Sequence, residues 1–189
     1  MKSPDKENRR RIIVNELGDV WFFAYGSLMW NTGFTPAEIR EATLKGWHRR
    51  FCVSSIIYRG TPEQPGLSLG LDRGSECRGL ALRIAERDRD EVFAYLADRE
   101  MPEEIYSCQR VMITIGDESV VAYTFVVNRD HALYVAEMSL EDMARRISRG
   151  RGKNGLNRDY LASTVEHLEQ LGMPDANLAE ILTHVERLG

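Results

Sequence analysis

The chain has 189 residues, 43% of them hydrophobic and 29% charged, the balance of a globular domain with enough residues to bury a core. A net charge of −4 argues against a nucleic-acid binder held by a broad cationic face. No segment approaches the roughly 18 consecutive apolar residues of a membrane span, so neither nucleic acid nor membrane is an expected partner. Cys52, Cys77 and Cys108 are odd in number and widely spaced, which suits reduced thiols in a cytoplasmic protein better than a disulfide framework. His48, His131, His167 and His184 form no close pair with each other or with cysteine, so no metal site is expected.

Residues 1–15 are polar apart from Ile12-Ile13-Val14, too short a run for a signal-peptide core, and are expected to be a flexible extension of a single domain spanning 16–189. Val20 to Tyr25 is a continuous apolar run that predicts a strand buried on both faces. It enters a turn at Gly26-Ser27, where glycine permits a sharp bend or close approach to a ligand. Backbone N–H groups freed at such a turn can bind a carboxylate or a developing oxyanion; the alternative is an ordinary strand and turn. Thr35-Pro36-Ala37-Glu38 suggests a short helical turn with Pro at its first position. Ala42 to Tyr58 reads as β, then the clusters at 59–62 and 64–66 form turns. Leu67, Leu69 and Leu71 alternate with Ser68 and Gly70 as one strand, and Cys77 to Ile84 makes another.

From Ala85 to Asp98 the period becomes helical, with Val92, Phe93 and Leu96 on one stripe. Tyr106 to Ile115 and Ser119 to Val127 form a hairpin around Gly116-Asp117-Glu118. After Met138 the chain is expected to be wholly helical. Ser139 to Asp142 matches a capping box, a second helix runs from about Leu156 to Leu171, and Leu178, Ile181, Leu182 and Val185 mark a last one. Strands first and helices last predict an α+β fold.

Three places combine turn glycines with polar side chains. Ser27 lacks a nucleophile-elbow context or an evident activating histidine, so it reads as a hydrogen-bond donor to a ligand. Glu100 follows the helix in Asp98-Arg99-Glu100; the helix dipole disfavours a carboxylate there, so it is either a solvated charge or a group kept for chemistry. Gly152 to Leu161 is a glycine-rich entry to a helix without the Walker ending. There the plain alternative is that Asn157 caps the helix and Tyr160 packs in the core. Arg50, Arg59, Arg99 and Arg110 are basic groups near these loops.

Four motifs in order resemble the ChaC family of glutathione-specific γ-glutamylcyclotransferases. Phe23-Ala24-Tyr25-Gly26-Ser27-Leu28-Met29-Trp30-Asn31 is similar to its Tyr-Gly-Ser-Leu signature. Arg50-Phe51-Cys52, with Arg59-Gly60-Thr61-Pro62 and Pro65-Gly66, resembles its Arg-Phe segment and the loop after it. Arg99-Glu100 before Tyr106 looks like its Arg-Glu…Tyr motif, and Gly152 to Leu161 resembles its C-terminal Gly-x-x-Gly-x-Asn-x-x-Tyr-Leu run. Family members often carry glycine just before that tyrosine, whereas Met101 to Ile105 contains none.

The resemblance implies a small mixed β-barrel with flanking helices and a helical C-terminal segment. It also implies cyclisation of glutathione to 5-oxoproline and cysteinylglycine, with no metal or organic cofactor. Glu100 would be the general acid/base; Tyr25, Gly26, Ser27 and Leu28 would cradle the γ-glutamyl group. Tyr106 and Tyr160 would line the pocket, and Arg50 and Arg59 would offer carboxylate contacts. Two alternatives stay open: the same cyclisation on other γ-glutamyl amines or amino acids, and a non-catalytic γ-glutamyl-binding module. Oligomeric state is left open.

Overall fold

The structure, a computed structural model, describes residues 12, 16–100 and 104–188. The expected N-terminal extension, apart from residue 12, and positions 101–103 of the glycine-free loop lie outside the described residues. In chain order the elements are β1 (Val20–Ala24), a 3-10 turn (Ser27–Met29), β2 (Glu38–Ser55) and β3 (Gly66–Ile84). A second 3-10 turn (Glu86–Asp88) leads into α1 (Arg89–Glu100), followed by the hairpin β4 (Tyr106–Ile115) and β5 (Glu118–Val127). Then come α2 (Leu140–Arg149), the two-residue strands β6 (Arg151–Gly152) and β7 (Gly155–Leu156), α3 (Asn157–Gln170) and α4 (Ala176–Glu186).

The five long strands close a barrel in the order β1-β3-β2-β4-β5. β1 lies antiparallel to β3, with Phe22 opposite Leu82, and parallel to β5, with Trp21 beside Ala122. The expected α+β fold with a mixed barrel is what is found. The chain divides into two compact units, the first from Met1–His48 and Arg73–Asn128, the second from Arg49–Asp72 and Arg129–Gly189.

In the first unit the apolar run of β1 is buried as its composition predicts: Phe22 and Phe23 are at most 1% exposed. Phe22 meets Phe93 of α1 and Phe125 of β5 at ring-centroid distances of 6.1 and 5.4 Å. Val92, Phe93, Leu96 and Ala97 form the buried stripe of α1. The β4–β5 hairpin turns at Gly116, whose φ of 59° is a conformation glycine adopts without a Cβ clash.

In the second unit α2, α3 and α4 pack on one another through Ala144 and Ile147, Leu161, Val165 and Leu168, and Leu178, Ile181 and Val185. Ser139 Oγ accepts the Asp142 N–H at the start of α2, as the capping box predicts, and Asp175 does the same for Leu178 in α4. No helix among the described residues is long and apolar enough to cross a membrane.

The structure corrects several expectations. Thr35 to Glu38 is not a helical turn: the chain bends and enters β2, because the Ala37 N–H finds the Arg83 carbonyl at 2.8 Å. The two strands expected at Leu67–Leu71 and Cys77–Ile84 are one strand. Exposed Arg73 to Glu76 stays extended, with the Arg73 guanidinium 4.0 Å from the Trp47 ring and Gly74 leaving no room for a Cβ beside His48. The C-terminal part is not wholly helical, since β6 and β7 form a small hairpin with Gly155 at φ 92°. The helix placed at 85–98 begins at Arg89, after a 3-10 turn, and ends at Glu100.

Candidate active site

In the first unit β1 stops at Ala24 and the chain turns through Tyr25 and Gly26 into the 3-10 turn Ser27–Met29. The turn closes on itself: the Gly26 carbonyl accepts from Met29 N–H at 2.8 Å, and the Ser27 carbonyl from Asn31 N–H at 2.8 Å. The first N–H groups of so short a turn have no acceptor within it, which leaves the amides of Ser27 and Leu28 available by geometry. Leu28 is buried and anchors the loop, while Tyr25, Gly26 and Ser27 are half-buried at the surface.

The same loop is gripped from α1. Arg99 donates through Nη2 to Ser27 Oγ at 2.9 Å and through Nη1 to the Asn31 carbonyl at 2.7 Å. Its Nε lies 2.9 Å from Glu100 Oε1. Ser27 and Glu100, 73 positions apart in the sequence, therefore share one guanidinium. About a quarter of the Glu100 side chain (24%) is exposed. Burial of the rest nevertheless dominates and raises its pKa above the usual carboxylate value, with the charge and hydrogen bond of Arg99 pulling the other way. A carboxyl held in this balance can exchange a proton nearer neutrality than an exposed glutamate.

Beyond α1, Glu104 takes a φ of 59°, the left-handed conformation that costs a residue with a Cβ about 1–2 kcal/mol. It lies in the glycine-free loop, so a glutamate here adopts a shape that glycine provides freely. Ile105 is buried, its carbonyl accepting from Asn128 N–H at 2.8 Å, and half-buried Tyr106 opens β4 opposite Val127.

The second unit brings Arg59 and Tyr160 together, with the Arg59 guanidinium 4.5 Å from the Tyr160 ring centroid. Arg59 also donates to the Asn154 carbonyl, and burial lowers its pKa. Among the described residues no carboxylate lies within ion-pair distance of it. Gly60 and Gly66 fix this loop by close approach, since a Cβ on Gly66 would meet the Arg59 carbonyl at 2.1 Å.

Arg50 is engaged elsewhere in that unit. Nη1 pairs with Asp72 Oδ2 at 2.9 Å, and Nη2 donates to the Val135 and Ala136 carbonyls. Asp72 is buried and also accepts from Arg129 at 2.7 Å and from the Tyr134 hydroxyl at 2.9 Å. Asn157 does not cap α3. Leu156 is the N-cap residue, and the buried Asn157 amide instead exchanges two hydrogen bonds with the Leu67 main chain, at 2.6 and 2.8 Å. Tyr160 is half-buried and not a core residue; its ring meets Phe51 at 5.8 Å.

The sequence marks Arg99 as a basic group near these loops and as the neighbour of Glu100 in the Arg-Glu…Tyr motif, but not its bridge to Ser27. The available signals were its adjacency to Glu100 and Tyr95 one helical turn before it. Asp72 carried no signal beyond one acidic residue in an apolar run. Among the described residues no group of three or more His, Cys, Asp or Glu is placed to hold a metal ion.

A small mixed five-stranded barrel with flanking helices is a γ-glutamylcyclotransferase-like fold. A crystal structure of a glutathione-specific γ-glutamyl cyclotransferase from yeast shares the fold, with a TM-score of 0.80 at 20% identity over 90% of this chain and 96% of that one. The family model for ChaC-like proteins matches residues 20–188, and the chain belongs to that family. It is 36% identical to the glutathione-specific γ-glutamylcyclotransferase of Escherichia coli K12, over 90% of this chain and 74% of that protein. It is 33% identical to γ-glutamylcyclotransferase 2-3 of Arabidopsis thaliana, over 89% of both.

Proposed function

We propose that the protein is a cytoplasmic γ-glutamylcyclotransferase that converts glutathione to 5-oxoproline and cysteinylglycine. The observation that carries the reading is the Glu100 carboxyl, raised in pKa and bound to the arginine that also holds Ser27. A relative at 36% identity named a glutathione-specific γ-glutamylcyclotransferase and one at 33% named a γ-glutamylcyclotransferase support it. Among the described residues Cys52, Cys77 and Cys108 form no disulfide, which fits a reducing compartment. Burial pushes the Cys52 and Cys108 thiols up to about 12, so neither is a nucleophile near neutral pH.

The substrate supplies its own nucleophile. Its α-amine attacks the γ-carbonyl carbon, a C–N bond closes the five-membered ring, and the bond to the cysteinyl nitrogen breaks. Glu100 takes a proton from the attacking nitrogen and returns one to the departing nitrogen, so the carboxylate is regenerated. Holding the γ-glutamyl chain in its ring-closing conformer is worth up to about 7–11 kcal/mol in comparable systems. The N–H groups of the Tyr25–Leu28 turn receive the α-carboxylate or the oxyanion on the γ-carbonyl, where one donor contributes roughly 3–4 kcal/mol. Tyr106 and Tyr160 offer walls and hydroxyls. Arg59 is the better carboxylate contact of the two arginines, because Arg50 is committed to Asp72 and two carbonyls. No step in this scheme requires a metal or an organic cofactor.

A second reading keeps the chemistry and changes the leaving amine; it is favoured by the glycine-free loop and the strained Glu104 before Tyr106. Incubating the protein with glutathione, γ-glutamyl-alanine and a γ-glutamyl amine, and measuring 5-oxoproline, separates the two. Release from glutathione alone supports the first reading. Release from the others alone supports the second, and release from none overturns both.

A further inference from the structure

Arg99 has more partners than a helix-terminal arginine needs for stability. Besides Ser27 Oγ, the Asn31 carbonyl and Glu100, its Nη1 donates to the Tyr95 hydroxyl at 3.1 Å. The Tyr95 ring is itself pressed on the loop after the Ser27 turn: a Cβ on Gly33, at φ 75°, would fall 1.9 Å from the Tyr95 hydroxyl oxygen. Helix α1 therefore holds this loop at two points, through a guanidinium and through an aromatic ring over a bare glycine.

The direction of the Ser27 bond has a chemical consequence. A guanidinium carries donors only, so Ser27 Oγ accepts from Arg99 and its own hydrogen points elsewhere. A hydroxyl that already accepts from a cation is a stronger donor and a poorer nucleophile.

We propose that Arg99 is a positioning residue that fixes Ser27 as a hydrogen-bond donor to the γ-glutamyl group and holds the Glu100 carboxylate in register with it. The assignment rests on Glu100 being the base. Among the described residues the charge acting on Glu100 is that of Arg99, with Ser27 and Tyr95 adding neutral hydroxyls to the cluster.

The test is steady-state kinetics on glutathione from pH 5 to 9 for R99K, R99M, S27A, the S27A/R99M double variant and E100Q, with circular dichroism to report folding. R99M is expected to lower kcat on the order of tenfold to a hundredfold, the scale of a lost charge-assisted hydrogen bond, with a smaller change in KM. Its acid limb is expected to move to higher pH, because the charge favouring ionised Glu100 is gone. R99K keeps the charge without the planar fork, so it should restore the acid limb and leave kcat low. S27A should cost little further in the R99M background.

Wild-type kcat or an unmoved acid limb in R99M overturns the proposal, as does a cycle in which the S27A and R99M losses simply multiply. If R99M fails to fold, R99K decides: wild-type kcat in R99K, or S27A and R99K losses that simply multiply, overturns the proposal. Turnover by E100Q overturns the proposed function instead, whatever Arg99 does, so the two failures are distinct.

Discussion

At the scale of single residues the account turns on the balance at Glu100, where desolvation outweighs the pull of Arg99. A carboxyl whose folded pKa is raised binds its proton more tightly folded than unfolded. Its contribution favours folding at low pH and is lost as pH rises through the folded pKa. The Tm of E100Q minus that of wild type should therefore grow more positive from pH 4 to 8, measured by thermal unfolding; a difference that falls with pH would mean that the Arg99 pair outweighs burial.

Glu104 gives a second prediction. Glu104→Gly relieves the left-handed strain, partly offset by the greater unfolded-state freedom of glycine, so stability should hold or rise by up to about 1 kcal/mol. Glu104→Val should lose about 1 kcal/mol or more in denaturant unfolding. Equal effects of the two would remove strain as the explanation.

At the scale of elements, β1, its turn and α1 work as one assembly in the first unit. Phe22→Ala would empty the contact among Phe22, Phe93 and Phe125 and should cost about 3–5 kcal/mol in denaturant unfolding. In the second unit Asn157 ties the start of α3 to β3. Asn157→Leu keeps the volume and orphans the Leu67 N–H and C=O, at roughly 1–3 kcal/mol for each buried group. A loss below 1 kcal/mol would show that water takes over both bonds.

Much of this was legible in the chain. The apolar run of β1, the helical stripe Val92-Phe93-Leu96 and the Ser139 cap follow from local pattern, because period and capping chemistry are local. What sequence could not supply depends on distant partners. Thr35 to Glu38 goes to strand because Arg83 offers a carbonyl, and Arg73 to Glu76 stays extended because Trp47 and His48 lie alongside. Asn157 looked like a cap because that is what asparagine does locally, yet its partner is a strand 90 residues away. Glu100 and Arg99 share one motif, but the bridge from Arg99 to Ser27 is not legible there, since bridging is a property of the folded loop.

At the scale of the whole molecule, the first unit carries Glu100, Arg99 and the Ser27 turn, and the second carries an arginine–tyrosine pair suited to a carboxylate. Arg59→Met should raise the KM for glutathione on the order of tenfold, while KM for a γ-glutamyl amine that lacks the terminal carboxylate stays unchanged. An equal change for both would mean that Arg59 shapes the loop rather than reads the substrate. The most direct measurement of the central claim is 5-oxoproline release from glutathione by wild type and by Glu100→Gln, both shown folded by circular dichroism. The account predicts steady release by wild type and none above background from the variant; release by the variant at a comparable rate would contradict it.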